Sequence, residues 1–299
     1  MIFFASALFV FTWSTGFIVG KAIVPYADPT LFLFVRVCIS AVIFGVVAVY
    51  SRVQWPAWSE VPKHILAGIL LQGLYLSATY WAIADGLPPA IMSLLGALQP
   101  IFTAIVAIPL LREVPTRRIW SGLLLGLIGV FLVLAPVLDT ATGLAIKASA
   151  VWIGLLAVLS ITFGTILQKT SIAAADIRVS SVLQNIGTVF FTGTFVWIRG
   201  EDRWIWSPEL WASLLWASIV LTCIGTMLLV WIIRRGQAAK ASSLIFLAPP
   251  LAAIQAYFLF DDRLDPMQIA GFALALAGVA LCNIKALPRM PGRLQRRSA

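Results

Sequence analysis

The stretch SLLGALQPIFTAIV, residues 93–106, sets a proline in the middle of an apolar run. SLIFLAPPLAAIQA, residues 243–256, repeats the arrangement with two prolines. Proline removes a backbone donor and its ring collides with the preceding turn, so each interruption breaks or kinks a helix. Pro100 denies the carbonyl of Gly96 its usual donor, and Pro249 and Pro250 do the same for Ile245 and Phe246. What those carbonyls do next depends on the solvent around the helix.

Composition identifies that solvent. The 299-residue chain is 61% hydrophobic and 11% charged, with a mean hydropathy of +0.99. A soluble protein carries about 25% charged residues. The apolar runs recur at the ~20-residue length that crosses a bilayer core. Breaks at charges, Gly and Pro predict ten spans, near 2–22, 29–50, 64–84, 88–111, 118–138, 149–169, 180–199, 209–233, 241–260 and 267–287. The runs are continuous rather than alternating, which argues against barrel strands. No basic segment precedes the first run, which reads as a retained helix rather than a signal peptide. The sequence predicts an all-α integral membrane protein of ten transmembrane helices.

The net charge of +9 does not point to nucleic acid, because the charge is sorted by side. Of 21 Lys and Arg residues, Arg36 lies within a span and five (Lys21, Lys147, Arg199, Arg203, Arg263) fall on one side. The rest fall on the other, including Arg52, Lys63, Arg117, Arg118 and the tail from Arg289 to Arg297. Cytoplasmic loops carry such an excess, so both termini are expected in the cytoplasm. The basic tail, 288–299, reads as a solvated arm near anionic lipid. Cys38, Cys223 and Cys282 lie within spans and imply no disulfide framework.

The two halves align with each other. Gly16, Lys21 and Ala27-Asp28 recur as Gly164, Lys169 and Ala175-Asp176, an offset of 148. Trp81, Gly86, Ser93 and Pro100 recur as Trp231, Gly236, Ser243 and Pro250, an offset of 150. Glu113, Gly122 and Gly129 recur as Asp262, Gly271 and Gly278, an offset of 149. Residues 1–138 and 149–287 are therefore expected to be two repeats of five spans each. Five is odd, so the second repeat enters the membrane from the opposite side. Interrupted segments at matching places of inverted halves point to the central site of a transporter, the alternative being plain kinks that improve packing. Carbonyls freed there must be satisfied by protein or by a watery cavity.

The opening stretch WSTGFIVGKAIVPYADPTLFLFVR, the run SLLGALQPIFTAI before LLREVP, and LDPMQIAGFALALAGVAL resemble the two EamA repeats of the drug/metabolite transporter superfamily. Among its members the chain resembles bacterial amino-acid and metabolite exporters, including YddG-type aromatic amino-acid exporters. The resemblance implies a ten-helix carrier with a cavity between the halves. REVPTRR departs from the fuller acidic-basic-leucine pattern that DDRLDP keeps.

Candidate substrate-binding residues follow from polar and aromatic groups at membrane depth. Gln72, Tyr75 and Thr79 share one face of the third span at i, i+3 and i+7. In lipid that face turns inward, toward substrate or toward hydrogen bonds between helices. Gln99 sits beside Pro100; Trp13 and Phe17 are neighbours on the first span; Thr165 and Gln168 follow on its counterpart, the sixth. Most of the twelve tryptophans fall at span edges as belt residues, Trp81 among them, whereas Trp13 does not. Pro100, Pro249 and Pro250 are the candidate kinks.

Arg36 lies about 10 Å inside the outer end of the second span, at 1.5 Å per residue. Such a charge costs roughly 2.5–3.5 kcal/mol at a helix centre. It is expected to snorkel outward, to bond helix-end carbonyls, or to meet a substrate carboxylate. His64 is expected at the interface. Gly122, Gly126 and Gly129, with Gly271, Ala275 and Gly278, form small-residue stripes suited to helix packing or to a dimer.

No metal-spaced cluster, P-loop or nucleophile–lysine pair is present, so neither an enzyme nor a cofactor or metal is expected. The expected partners are the lipid bilayer and a small-molecule substrate, with the chain a monomer or weak homodimer in a bacterial inner membrane. The reading is an exporter of small metabolites by alternating access, most of all aromatic or apolar amino acids. The alternatives are an exporter of drugs or other metabolites, and a non-transporting scaffold or sensor.

Overall fold

A computed structural model describes residues 2–87, 92, 95–112, 114–141, 147–172, 174–225, 227–228, 231–232, 251, 255 and 266–283. At Phe17 and at some positions near helix ends the description is of the backbone alone. Among these residues the chain is helical: α1 (Ile2–Ala22), α2 (Pro29–Tyr50), α3 (Val61–Ala84), α4 (Gln99–Leu111), α5 (Arg117–Ala141), α6 (Ala148–Thr170), α7 (Ile177–Arg199), α8 (Pro208–Gly225) and α9 (Pro266–Asn283). Five of them, α2, α3, α6, α7 and α8, are long and apolar enough to cross a membrane. The expected ninth span, with Pro249 and Pro250, lies outside the described residues, as does most of 88–94.

Local chemistry sets the ends. Pro29 and Pro208 occupy the first turns of α2 and α8, where a missing N–H costs nothing. The Ser207 hydroxyl accepts Leu210 N–H at 3.1 Å to cap α8, and Asp176 accepts Arg178 N–H at 2.8 Å to cap α7. Gly200 ends α7 at φ +63°, a left-handed conformation that glycine adopts without strain.

Pro100 does more than kink a continuous helix. The chain turns at Ala97 and Leu98, and α4 begins at Gln99 with Pro100 in its first turn. Leu98 O accepts both Ile101 N and Phe102 N at 3.0 Å, so the new helix is joined at that carbonyl. The remaining bounds differ from the expected spans by a few residues: α3 starts at Val61 and α5 runs on to Ala141.

Burial is inverted relative to a soluble protein. Thr12, Ser14, Arg36, Ser40, Gln72, Gln168, Gln184 and Asn185 are buried, while Val42, Val49, Trp152, Phe190 and Trp197 are exposed. In lipid this is the low-energy arrangement, because apolar side chains lose nothing by facing acyl chains and polar ones find partners inside.

Helix pairing follows the internal repeat. α5 packs along α9, α2 along α7, α1 on the second half of α8, and α6 on α3. Exchanging each helix with its repeat counterpart maps this set of contacts onto itself. The glycine stripes meet each other inside the chain. A Cβ on Gly278 would stand 2.5 Å from Gly126 N, and one on Gly122 would stand 2.6 Å from Cys282 Sγ.

Candidate functional site

Two stretches without proline carry the site. Ile69–Leu74 within α3 and Trp216–Gly225 within α8 wind as π-helix, a wider turn often found at functional positions. They occupy equivalent places: Leu71 and Leu221, Gln72 and Thr222, and Tyr75 and Gly225 are each 150 positions apart, the offset that relates Trp81 to Trp231.

Between them lies a cavity of about 50 Å³. It is lined by Thr12, Trp13 and Gly16 of α1, Arg36 of α2, Leu71, Gln72, Tyr75, Leu76, Thr79 and Tyr80 of α3, and Leu221 and Gly225 of α8. Both repeats therefore contribute. The volume suits a few waters and falls well below the ~300–1,000 Å³ of ligand pockets. Trp13 and Tyr75 stack across one wall with centroids 5.9 Å apart at 11°, and Phe9 leans on Trp13 at 5.1 Å. Gln72, though buried, has neither amide atom partnered among the described residues, and the Thr79 hydroxyl lies beside that of Tyr75. Buried polar atoms without partners ask for an explanation; here they occur outside the cavity as well, on Gln99, Gln168, Gln184 and Asn185 among others.

Arg36 neither snorkels nor bonds helix-end carbonyls. It is 4% exposed, its Nε donates to Thr222 Oγ1 at 2.7 Å, and its Nη1 reaches Tyr80 OH at 3.4 Å. Thr222 Oγ1 donates in turn to Ala217 O at 3.0 Å, a spacing of five that the π turn provides. Tyr80 OH donates to Gly16 O at 3.4 Å. Ser40 Oγ bridges Arg36 O and Ser218 O at 3.0 and 3.1 Å, tying α2 to α8. Among the described residues no acidic side chain pairs with Arg36.

Gln99, Thr165 and Gln168 are brought together elsewhere. Gln99 Nε2 donates to Thr165 Oγ1 at 3.3 Å, and Gln184 Nε2 donates to Gln168 Oε1 at 2.9 Å and to Ser180 Oγ at 2.8 Å. His64, in the first turn of α3, joins this group: it is fully buried, with Nδ1 3.0 Å from Ser180 Oγ. The first turn of α3 reaches it because α3 lies hard against α7, where a Cβ on Gly68 would collide with Gln184 O. The backbone of Phe17 is on α1, its side chain outside the description.

At the opposite end of α3, Trp81 is more than a belt residue. Its Nε1 donates to Thr30 Oγ1 at 2.7 Å and to Glu201 at 3.3 Å, with the Arg199 guanidinium 4.6 Å over its ring. Asp28 pairs with Arg203 at 3.2 Å beside a two-residue bridge of Ala27 to Trp204. Lys147 binds Asp85 at 2.6 Å and holds that carboxyl below its usual range.

Tyr80, Thr222 and Gly225 were not singled out by the sequence. The repeat offset signals Thr222, as the counterpart of Gln72; nothing in ILLQGL or WASIVLTCIG signals a π turn.

The EamA-like transporter family model matches residues 1–135 and 148–284. The chain is 24% identical over 281 residues to the uncharacterized transporter YvbV of Bacillus subtilis, covering 93% of this chain and 90% of that protein. It is 25% identical over 298 residues to a Streptantibioticus cattleyicolor protein described as a "Probable terminal-alkyne amino-acid exporter", covering 97% of each. A crystal structure superposes with a TM-score of 0.75 at 16% identity, over 94% of this chain and 96% of the other; at that identity the likeness shows the fold alone.

Proposed function

Since the chain belongs to the EamA-like transporter family, and is thus a multi-pass membrane transporter and not an enzyme, we propose that it exports amino acids with aromatic or apolar side chains by alternating access. In this reading ten spans form two inverted five-helix halves in a bacterial inner membrane, with both termini cytoplasmic. The observation that carries it is the cavity lined by residues of both repeats, with Leu71 and Leu221, and Tyr75 and Gly225, at equivalent positions, and walled by the stacked pair Trp13 and Tyr75. A carrier that rocks one half against the other needs its site on the axis relating them. An aromatic substrate entering there replaces one ring–ring contact with another, so the closed cavity widens at little cost in stacking. The YddG-type resemblance supports the aromatic class, and the described amino-acid exporter from Streptantibioticus supports amino acids more broadly.

The test is substrate counterflow in proteoliposomes. Trapped unlabelled phenylalanine should drive transient uptake of labelled phenylalanine, and tryptophan, tyrosine and leucine should compete better than serine or aspartate. Uptake without counterflow, or competition by cationic drugs alone, overturns the proposal.

A further inference from the structure

We infer that Arg36 forms a carboxylate-binding subsite in the central cavity, so that the molecules carried are monocarboxylates. This deepens the proposed function and rests on it for the location of the site. Arginine keeps its charge in proteins and has five N–H donors, of which Thr222 and Tyr80 take two. The rest belong to a buried guanidinium on the cavity wall that no acidic side chain among the described residues balances. An ion held in such a place without its counter-ion is costly. A bound carboxylate supplies that counter-ion, with the fork-to-fork geometry that arginine favours.

A neighbour carries the second, independent observation. The Gln72 amide lines the same cavity, is 5% exposed, and neither its Nε2 nor its Oε1 has a hydrogen-bond partner among the described residues; the Thr79 hydroxyl, beside that of Tyr75, lines it too. Gln72 Nε2 and Thr79 O–H are donors for a carboxylate; Gln72 Oε1 is an acceptor for an N–H group of the same ligand. Thr222 is a positioning residue: its hydroxyl hydrogen goes to Ala217 O, which leaves its lone pair aimed at Arg36 Nε. One cation and no acidic residue among the lining residues favour a ligand with one carboxylate, leave a dianion in excess, and disfavour a ligand whose only charge is positive; the ammonium of an amino acid has Gln72 Oε1 as its acceptor.

The experiment uses the purified full-length protein and compounds sharing one benzyl group: phenylalanine, 3-phenylpropionate, phenylalaninamide and phenethylamine, with inorganic phosphate as the dianion control. Ligand-induced thermal shift and inhibition of counterflow are read for each. The two carboxylates should stabilise and compete, at least tenfold more tightly than the amide, the amine or phosphate. Arg36→Gln should erase that preference. Should Arg36→Gln fail to fold, Thr222→Val should weaken the carboxylates selectively while Thr222→Ser retains them. Amide and amine binding as tightly as phenylalanine overturns the subsite and leaves the aromatic-exporter reading intact. Binding of 3-phenylpropionate without phenylalanine keeps the subsite and removes the amino-acid reading. Tighter binding of phosphate, carboxylate preference surviving in a folded Arg36→Gln or in Thr222→Val, or no response to any carboxylate overturns the subsite.

Discussion

Glu201, in the loop after α7, accepts the backbone N–H of Thr30 at 2.8 Å in the first turn of α2. It also accepts Leu31 N–H and the Thr30 hydroxyl, each at 2.9 Å. Asp28, at the position where a cap is expected, makes no side-chain cap bond. The second repeat thus caps a helix of the first, and Trp81 of α3 joins the same carboxylate. This ties three helices together at the end of the molecule assigned to the outer face.

Glu201→Ala is therefore expected to lower thermal stability by about 1–2 kcal/mol, the usual cost of a lost cap. Glu201→Gln, which keeps an acceptor, should lose less. Unfolding in detergent checks the order. If the seal also holds the outer side shut, a cysteine placed at Tyr80 should react faster with an impermeant thiol reagent in the Glu201→Ala background.

Trp13→Ala removes one face of the stacked pair with Tyr75. Stacking is worth ~1 kcal/mol beyond burial, so competition by phenylalanine and tryptophan should weaken about fivefold. Competition by alanine should change little, and Trp13→Phe should restore most of the loss. Equal weakening of both classes places the ring outside the substrate's path.

Gly278→Ala tests the meeting of α5 and α9. Its Cβ would stand 2.5 Å from Gly126 N and 2.7 Å from Gly122 O, atoms that cannot yield without moving a backbone. Overpacking of this kind costs about 1–3 kcal/mol, read as a lower unfolding temperature. The oligomeric state in size-exclusion chromatography should not change, because the stripes are occupied within one chain. A shift in oligomer at unchanged stability would assign them to a dimer instead.

Much of this arrangement was legible beforehand because bilayer physics writes long, simple signals. The spans, the repeat and the polar face of Gln72, Tyr75 and Thr79 all rest on residue type and spacing. The π turns left no such mark. They change hydrogen-bond register without proline, and they decide that Thr222 meets Arg36. Pro100 opens α4, and the described cavity lies on α1, α2, α3 and α8; Pro249 and Pro250 lie outside the described residues. Gln99, Thr165 and Gln168 are buried outside that cavity, Gln99 bonded to Thr165 and Gln168 to Gln184, with Gln99 Oε1 and Gln168 Nε2 left without partners. Polarity at membrane depth reports inward orientation; it does not separate a cavity wall from a packed network. His64 shows the same difficulty at a helix end, since a first-turn histidine faces water or a neighbour according to how closely the next helix approaches.

The positive-inside asymmetry and the odd span count predict residues 139–147 outside and the C-terminal tail inside. Lys147 pairs with Asp85, so the ends of α3 and the start of α6 share one face. Single cysteines at Thr142 and Ser298, in a Cys38, Cys223 and Cys282 replaced background, should label from opposite sides of intact spheroplasts. Labelling of both from one side sinks the ten-span, inverted arrangement.

Coupling is the last prediction. The twelve carboxylates all fall in loops or near span ends by sequence. Proton-driven carriers commonly keep a titratable group in the membrane as a relay. Arg36 is the charge in the cavity, and arginine does not release its proton. His64, the one histidine, is buried against Ser180 at the far end of α3 from Trp81 and is absent from the cavity lining. A proton on His64 has no direct route to the substrate's counter-ion, so substrate movement does not require its titration. The expected behaviour is facilitated flux down the substrate gradient, without stoichiometric proton or sodium coupling. Proteoliposomes with equal phenylalanine on both sides and an imposed pH or sodium gradient should show no accumulation, and His64→Gln should keep wild-type counterflow. Accumulation that collapses with an ionophore overturns the prediction. If His64→Gln abolishes that accumulation while sparing counterflow, the buried histidine is the coupling group.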